Sequence, residues 1–126
     1  MKRIALHVVT GGPRSGKSEL IARLVGARES WLGLVNRRPG AAHTRLRVLP
    51  LGCPCCTARV AARVFLARAL RETRPGRVLI ELGVEEHLAT LERTLGEWPL
   101  GQYLELGRPI QLPEHARVSA DALEAG

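Results

Sequence analysis

Aromatic residues are scarce: one Phe, one Tyr and two Trp make up 3% of the 126 residues. Leu, Val and Ala must therefore fill most of the interior. Long hydrophobic runs are missing too. Nothing approaches the roughly 20 consecutive apolar residues needed to cross a bilayer, so no membrane partner is expected. The opening Met1-Lys2-Arg3-Ile4-Ala5-Leu6 has the outline of a secretory leader. His7 interrupts its apolar stretch, however, and a glycine loop follows without a small-residue cleavage site. The segment reads as a first strand and the chain as cytoplasmic. Lysine is nearly absent: only Lys2 and Lys17 occur among the nineteen cationic residues. Cysteine is confined to Cys53, Cys55 and Cys56. An odd, clustered set argues against a disulfide framework and towards metal or redox chemistry.

Residues 1–126 give room for a single domain with one modest core. The formal charge of +7 would attract nucleic acid non-specifically. The arginines are scattered, though, and lack interleaved aromatics for base stacking, so a solvated Arg-rich surface is the better reading. A homo-oligomer is compatible with the composition.

Strand-like and helix-like segments alternate, which predicts an α/β fold with a mainly parallel sheet and crossover helices. Residues 3–10 carry Ile4, Leu6 and Val8 in alternation, with Val9 also apolar. Residues 17–26 place Leu20, Ile21, Leu24 and Val25 on one helical face. Residues 31–36 and 45–51 read as strands around a basic Gly/Pro loop. Thr57 would cap a helix reaching Arg74, with Val60, Val64, Phe65 and Leu70 as its core stripe. Residues 77–82 form another apolar strand. Val84, Leu88, Leu91 and Leu95 then recur at helical spacing. Residues 103–106 and 117–120 read as short strands, in a stretch that Pro109 and Pro113 make hard to assign.

Gly11-Gly12-Pro13-Arg14-Ser15-Gly16-Lys17-Ser18 matches G-x-x-x-x-G-K-[ST]. Glycines let backbone amides wrap phosphate oxygens, and the following helix presents its positive end to the anion. Lys17 would reach the β- and γ-phosphates and Ser18 would bind magnesium. The motif lies between a predicted strand and a predicted helix, the context it requires. It predicts Mg2+ bound with GTP or ATP.

Gly52-Cys53-Pro54-Cys55-Cys56-Thr57 follows a strand and precedes a helix. Thiolates bind soft or borderline metals, and a helix N-terminus favours the ligating thiolate. Three thiolates leave a tetrahedral ion one ligand short, which suits transfer or sensing. His43, His87, water or a partner protein could complete it. The competing readings are small buried cysteines or a vicinal disulfide. In open parallel sheets ligands gather outside the carboxyl ends of the strands, so the phosphate loop, the cysteines and Glu81 should share one rim. Glu81 reads equally as a catalytic carboxylate or as a charge suited to a helix start. Asn36 reads equally as a strand end or as a nucleotide contact. His7 reads as a packed histidine.

Together these segments resemble the CobW-type GTPases, relatives of the UreG and HypB metallochaperones. Gly52-Cys53-Pro54-Cys55-Cys56-Thr57 looks like that family's Gly-Cys-x-Cys-Cys-Thr, Leu34-Val35-Asn36 like its strand ending in Asn, and Val78-Leu79-Ile80-Glu81-Leu82-Gly83 like its strand ending in Glu-x-x-Gly. The resemblance runs over residues 4–83. It implies a three-layer P-loop NTPase-like fold, slow GTP hydrolysis, and delivery of zinc, cobalt or a similar ion to a client metalloprotein. It makes Cys53, Cys55 and Cys56 the ligands of that ion. It sets Glu81 near magnesium or the attacking water, in a catalytic role beside Lys17 of the phosphate loop, and Gly83 near the γ-phosphate. Two departures accompany it. Glu81-Leu82-Gly83 is one residue short of Glu-x-x-Gly, and no Asn-Lys-x-Asp reads guanine, since Lys17 is the last lysine. The sheet is also expected to be truncated at its C-terminal side.

The alternatives are a non-hydrolysing module that responds to nucleotide or metal, and a small-molecule kinase. For the latter, Gly11-Gly12-Pro13-Arg14-Ser15-Gly16-Lys17-Ser18 looks like the loop of adenosylcobinamide kinases.

Overall fold

A computed structural model of the chain describes residues 3–11, 16–28, 30–36, 45–48, 59–83, 88–97, 100–112 and 123. Its elements are β1 (Ile4–Gly11), α1 (Lys17–Ala27), β2 (Trp31–Val35), β3 (Leu46–Val48), α2 (Arg59–Thr73), β4 (Arg77–Glu81), α3 (Leu88–Gly96), a 3-10 turn (Leu100–Gln102), β5 (Leu104–Leu106) and β6 (Ile110–Leu112). The fold is α/β, and all the strand pairs are parallel.

The strands lie in the order β3-β2-β4-β1-β5, with β6 also on β1. Val9 pairs with Glu81 of β4 on one side and with Ile110 of β6 on the other. β5 and β6 therefore follow one another along the same edge of β1. Partners differ by 100 residues along β5 and by 101 along β6, so residues 107–109 absorb one extra residue as a bulge. Pro109 falls in that interruption, where no ladder donor is required.

Both faces of the sheet are covered, and the two-residue period of each strand assigns its side chains. Leu6, Val8, Leu32, Leu34, Val78 and Ile80 form one core with Leu66, Ala69 and Leu70 of α2 and Leu91 and Leu95 of α3. Val9, Trp31, Val35 and Leu79 point the other way, into a second core with Leu20, Ile21, Leu24 and Val25 of α1. Each fully buried Leu or Val contributes on the order of 2 kcal/mol. The expected apolar face of α1 is therefore the one it buries. Of the stripe expected for α2, Leu70 is buried and Phe65 packs against the same core, whereas Val64 is 54% exposed and Leu66 and Ala69 complete the contact; the Val60 side chain lies outside the described residues. Expected strand 117–120 lies outside the described residues, and β6 takes the place beside β1 that no periodicity announced. Among the described residues no helix is long and apolar enough to cross a membrane.

Gly33 sets how closely α1 approaches the sheet. A Cβ at this position would come within 2.6 Å of an Ile21 methyl, 2.8 Å of one on Leu46 and 3.0 Å of one on Val25. Replacing a strand glycine by alanine gains backbone entropy, about 0.5–1 kcal/mol. Overpacking between a helix and a strand costs about 1–3 kcal/mol. Gly33→Ala is therefore expected to lower the free energy of unfolding in urea by about 1–2 kcal/mol, and an unchanged midpoint would show that α1 sits farther out.

Candidate functional site

β1 delivers the chain to Gly11 and α1 takes it up again at Lys17. Gly16 caps α1 in the left-handed region, at φ 88° and ψ 25°, with no side-chain cap. Among the described residues nothing beyond its chain neighbours lies within 4 Å of where a Cβ would sit, so conformation and not crowding selects glycine here. The Gly16 carbonyl accepts the first helical bond, from the Leu20 N–H at 2.9 Å. The leading N–H groups of α1 have no partner within the helix, as in the first turn of any helix.

Lys17 turns back towards the end of β1. Its Nζ donates to the Gly11 carbonyl at 3.0 Å, and the residue is only 9% exposed. The ammonium thus bridges the last residue of β1 and the first turn of α1. A positive charge and a helix N-terminus meet at the end of β1, an electrostatic setting for an anion.

Ser18, one residue further, faces β4. Its hydroxyl donates to Glu81 Oε1 at 2.8 Å. The Asn36 main-chain N–H donates to the same oxygen at 2.9 Å. Glu81 is 8% exposed, and it is positioned from both sides of β4: Val9 is its register partner on β1, and Leu34 of β2 pairs with the adjoining Ile80. The Leu82 N–H continues the ladder to the Val9 carbonyl at 2.9 Å. A buried carboxylate needs hydrogen-bond donors, and these come from α1 and from the end of β2.

The site lies at the carboxyl end of the sheet. The chain leaves β1 for β2 on one side and leaves β4 for β5 on the other, so adjacent β1 and β4 mark a switch point, where such sheets bind ligands. A hydroxyl and a carboxylate oxygen 2.8 Å apart are hard donors. They fit a magnesium ion, which takes one or two protein oxygens and completes its shell with water and phosphate. Thiophilic metals would not choose them. Anion and hard cation can be held side by side.

Of the residues singled out from the sequence, the structure brings together Gly11, Gly16, Lys17, Ser18, Asn36 and Glu81. Gly83 follows two residues after Glu81, exposed, in a bend. Gly12, Pro13, Arg14, Ser15, Cys53, Cys55, Cys56, His43 and His87 lie outside the described residues. The link that sequence reasoning left open is Asn36 to Glu81, 45 residues apart and made by the main chain, which no side-chain pattern announces. No family model, curated protein or solved structure matches this chain.

A second buried polar group, His7, points to the α1 side of the sheet and belongs to a different cluster. Its Nδ1 is 2.8 Å from the Arg108 carbonyl and its Nε2 is 2.7 Å from Arg77 Nη1. A guanidinium can only donate and a carbonyl can only accept, so the neutral ring carries its proton on Nδ1. Arg77 in turn sits over the Trp31 ring, 5.4 Å from its centroid. Burial holds the His7 pKa below the ordinary 6.5, the charges of Arg77 and Arg108 push the same way, and the bond to the Arg108 carbonyl opposes them. The unfolded chain therefore binds this proton more readily than the folded one. The His7 contribution is whole above pH 6.5 and is lost as pH falls below that value towards the lowered folded pKa. The expected slope is at most about 1.4 kcal/mol per pH unit. Urea unfolding between pH 7.5 and 5.5 should show this slope in the wild type and a flatter one in His7→Gln. Equal slopes would place the titration elsewhere.

Proposed function

We propose that the chain binds a nucleoside triphosphate with magnesium, GTP or ATP, in a three-layer P-loop NTPase-like fold. The observation that carries this reading is the 2.8 Å contact between Ser18 Oγ and Glu81 Oε1. The glycine-lysine-serine spacing assigns Ser18 to a magnesium ion with no knowledge of Glu81, 63 residues away. Folding supplies the acidic oxygen that such an ion needs.

In this reading Lys17 exchanges the Gly11 carbonyl for phosphate oxygens, a stronger, charge-assisted partner. Gly16 and the first turn of α1 offer N–H groups to the same anion. Ser18 and Glu81 hold the cation, which when bound neutralises charge on the phosphate oxygens. Glu81 orients it from a carboxylate whose position is set by its two strand neighbours. Lys17 and Glu81 are then the residues at the reacting phosphate, and slow GTP hydrolysis follows if water can reach the γ-phosphate near Gly83.

The resemblance to CobW-type proteins extends the proposal to metal handling. Cys53, Cys55 and Cys56 would take zinc or cobalt as cargo and release it to a client metalloprotein as the phosphate state changes nearby loops. A second reading, a non-hydrolysing nucleotide-responsive module, is favoured by one feature. Glu81 Oε1 already accepts two hydrogen bonds, which suits holding a cation better than activating water.

Lys17→Ala should weaken binding of a fluorescent GTP or ATP analogue at least about tenfold, the worth of a charged hydrogen bond, while the circular dichroism spectrum is retained. Binding equal to wild type would overturn the phosphate site. Phosphate release from the bound nucleotide separates the hydrolysing from the non-hydrolysing reading. For the cysteines, equilibrium dialysis with zinc and with cobalt should show one ion bound per wild-type chain and none when all three are Ser. Retention of the ion by the triple variant would remove the metal cluster from the proposal.

A further inference from the structure

Asn36 follows β2 beside the Ser18–Glu81 pair, and its main-chain N–H is committed there, donating to Glu81 Oε1 at 2.9 Å. That bond sets the Asn36 Cα next to the shared carboxylate oxygen. The carboxamide, carried on a single methylene, cannot reach far from it. Its oxygen is buried and has no hydrogen-bond partner among the described residues. An acceptor withdrawn from water and left unpaired costs about 1–3 kcal/mol, and natural interiors pair most such atoms. The second unpaired atom, Arg47 Nε, belongs to a 37% exposed side chain with further N–H groups and Glu72 at 4.0 Å. Asn36 has no such outlet. The group its oxygen lacks is a donor, and the neighbouring oxygens of Ser18 and Glu81 are those suited to a hydrated cation.

We propose that the Asn36 carboxamide oxygen accepts a hydrogen bond from a water molecule in the shell of a divalent cation held at Ser18 and Glu81. This rests on the cation site of the proposed function and adds a positioning residue to it. Magnesium keeps several waters when bound by one or two protein oxygens, and those waters are strong donors because the ion polarises them. The acceptor that folding leaves unpaired would be satisfied when the ion arrives. Asn36 would then tie cation occupancy to the end of β2, where the chain enters residues 37–44.

The test uses the full chain, manganese as the probe ion and a non-hydrolysable triphosphate analogue. Free manganese is read from its electron paramagnetic resonance signal. Wild type, Asn36→Ala and Asn36→Asp are compared, with analogue affinity measured separately in EDTA. Asn36→Ala is expected to bind manganese about 3- to 10-fold more weakly, the range of one hydrogen bond, with analogue affinity in EDTA within twofold of wild type. Asn36→Asp, which keeps an acceptor, should restore or exceed wild-type manganese affinity. Thermal unfolding of the metal-free protein adds a readout that a structural role would move. Deleting an unpaired acceptor should leave the midpoint unchanged or raised in Asn36→Ala.

Equal manganese affinity in wild type and Asn36→Ala would overturn this inference while leaving the nucleotide site standing. So would a metal-free Asn36→Ala that melts lower than wild type and is not rescued by Asp. Failure of the wild type itself to take up manganese with the analogue would overturn the cation site, and this inference with it.

Discussion

Glu81 is a carboxylate folded almost out of reach of water, and the candidate site is built around what that requires. Burying such a group is unfavourable unless donors replace its hydration. Two of them arrive at one oxygen: the Ser18 hydroxyl from the first turn of α1 and the Asn36 N–H from the end of β2. β4 carries the acceptor. Three elements from distant parts of the chain therefore share one atom as their point of reference, and each depends on the other two for its placement. The Lys17 bridge to Gly11 adds β1 to the same rim.

That convergence needs a sheet in which β1, β4 and β2 lie side by side with their carboxyl ends level. The apolar runs make it so. Strands buried on both faces must be apolar at successive positions, and Val78-Leu79-Ile80 and Trp31-Leu32-Gly33-Leu34-Val35 are. The glycine in the second run matters as much as the hydrophobes. By offering no side chain to Ile21 and Val25, Gly33 lets α1 settle onto the sheet at the depth from which Ser18 meets Glu81. Core packing and site geometry are thus one problem.

Much of this was legible beforehand, and the reason differs by element. β1, β2, β4 and α1 announce themselves because their periodicity is local and their burial uniform. The stripe of α2 holds at Phe65 and Leu70 and fails at Val64, because the helix needs only a narrow contact and Leu66 and Ala69 complete it. β6 was illegible for another reason. Ile110-Gln111-Leu112 alternates over three residues only, too short a run between Pro109 and Pro113 to signal a strand, and it pairs along the edge of β1. In the site, the glycine-lysine-serine spacing marked Lys17 and Ser18 from sequence alone. Glu81 and Asn36 were each left between two readings, since what decides them is contact across 63 and 45 residues.

The two buried polar clusters then separate by how completely they are satisfied. His7 has a partner on each ring nitrogen, a fixed tautomer and a guanidinium that is itself stacked on Trp31. Such a cluster has little left to offer a ligand; its work is to pin β1 to β4 and to the bulge at residues 107–109. The rim cluster is different in kind. Its lysine donates to a neutral carbonyl that an anion can outbid, and its asparagine carries an acceptor with no partner among the described residues. Folding that completes one polar cluster and leaves the other short of partners has not failed at the second. What the rim holds, an ammonium beside a helix N-terminus and, among the described residues, one unpaired oxygen acceptor beside a buried carboxylate, is complementary to an anion and to a hydrated cation, which is why the rim and not the His7 cluster carries the proposed function.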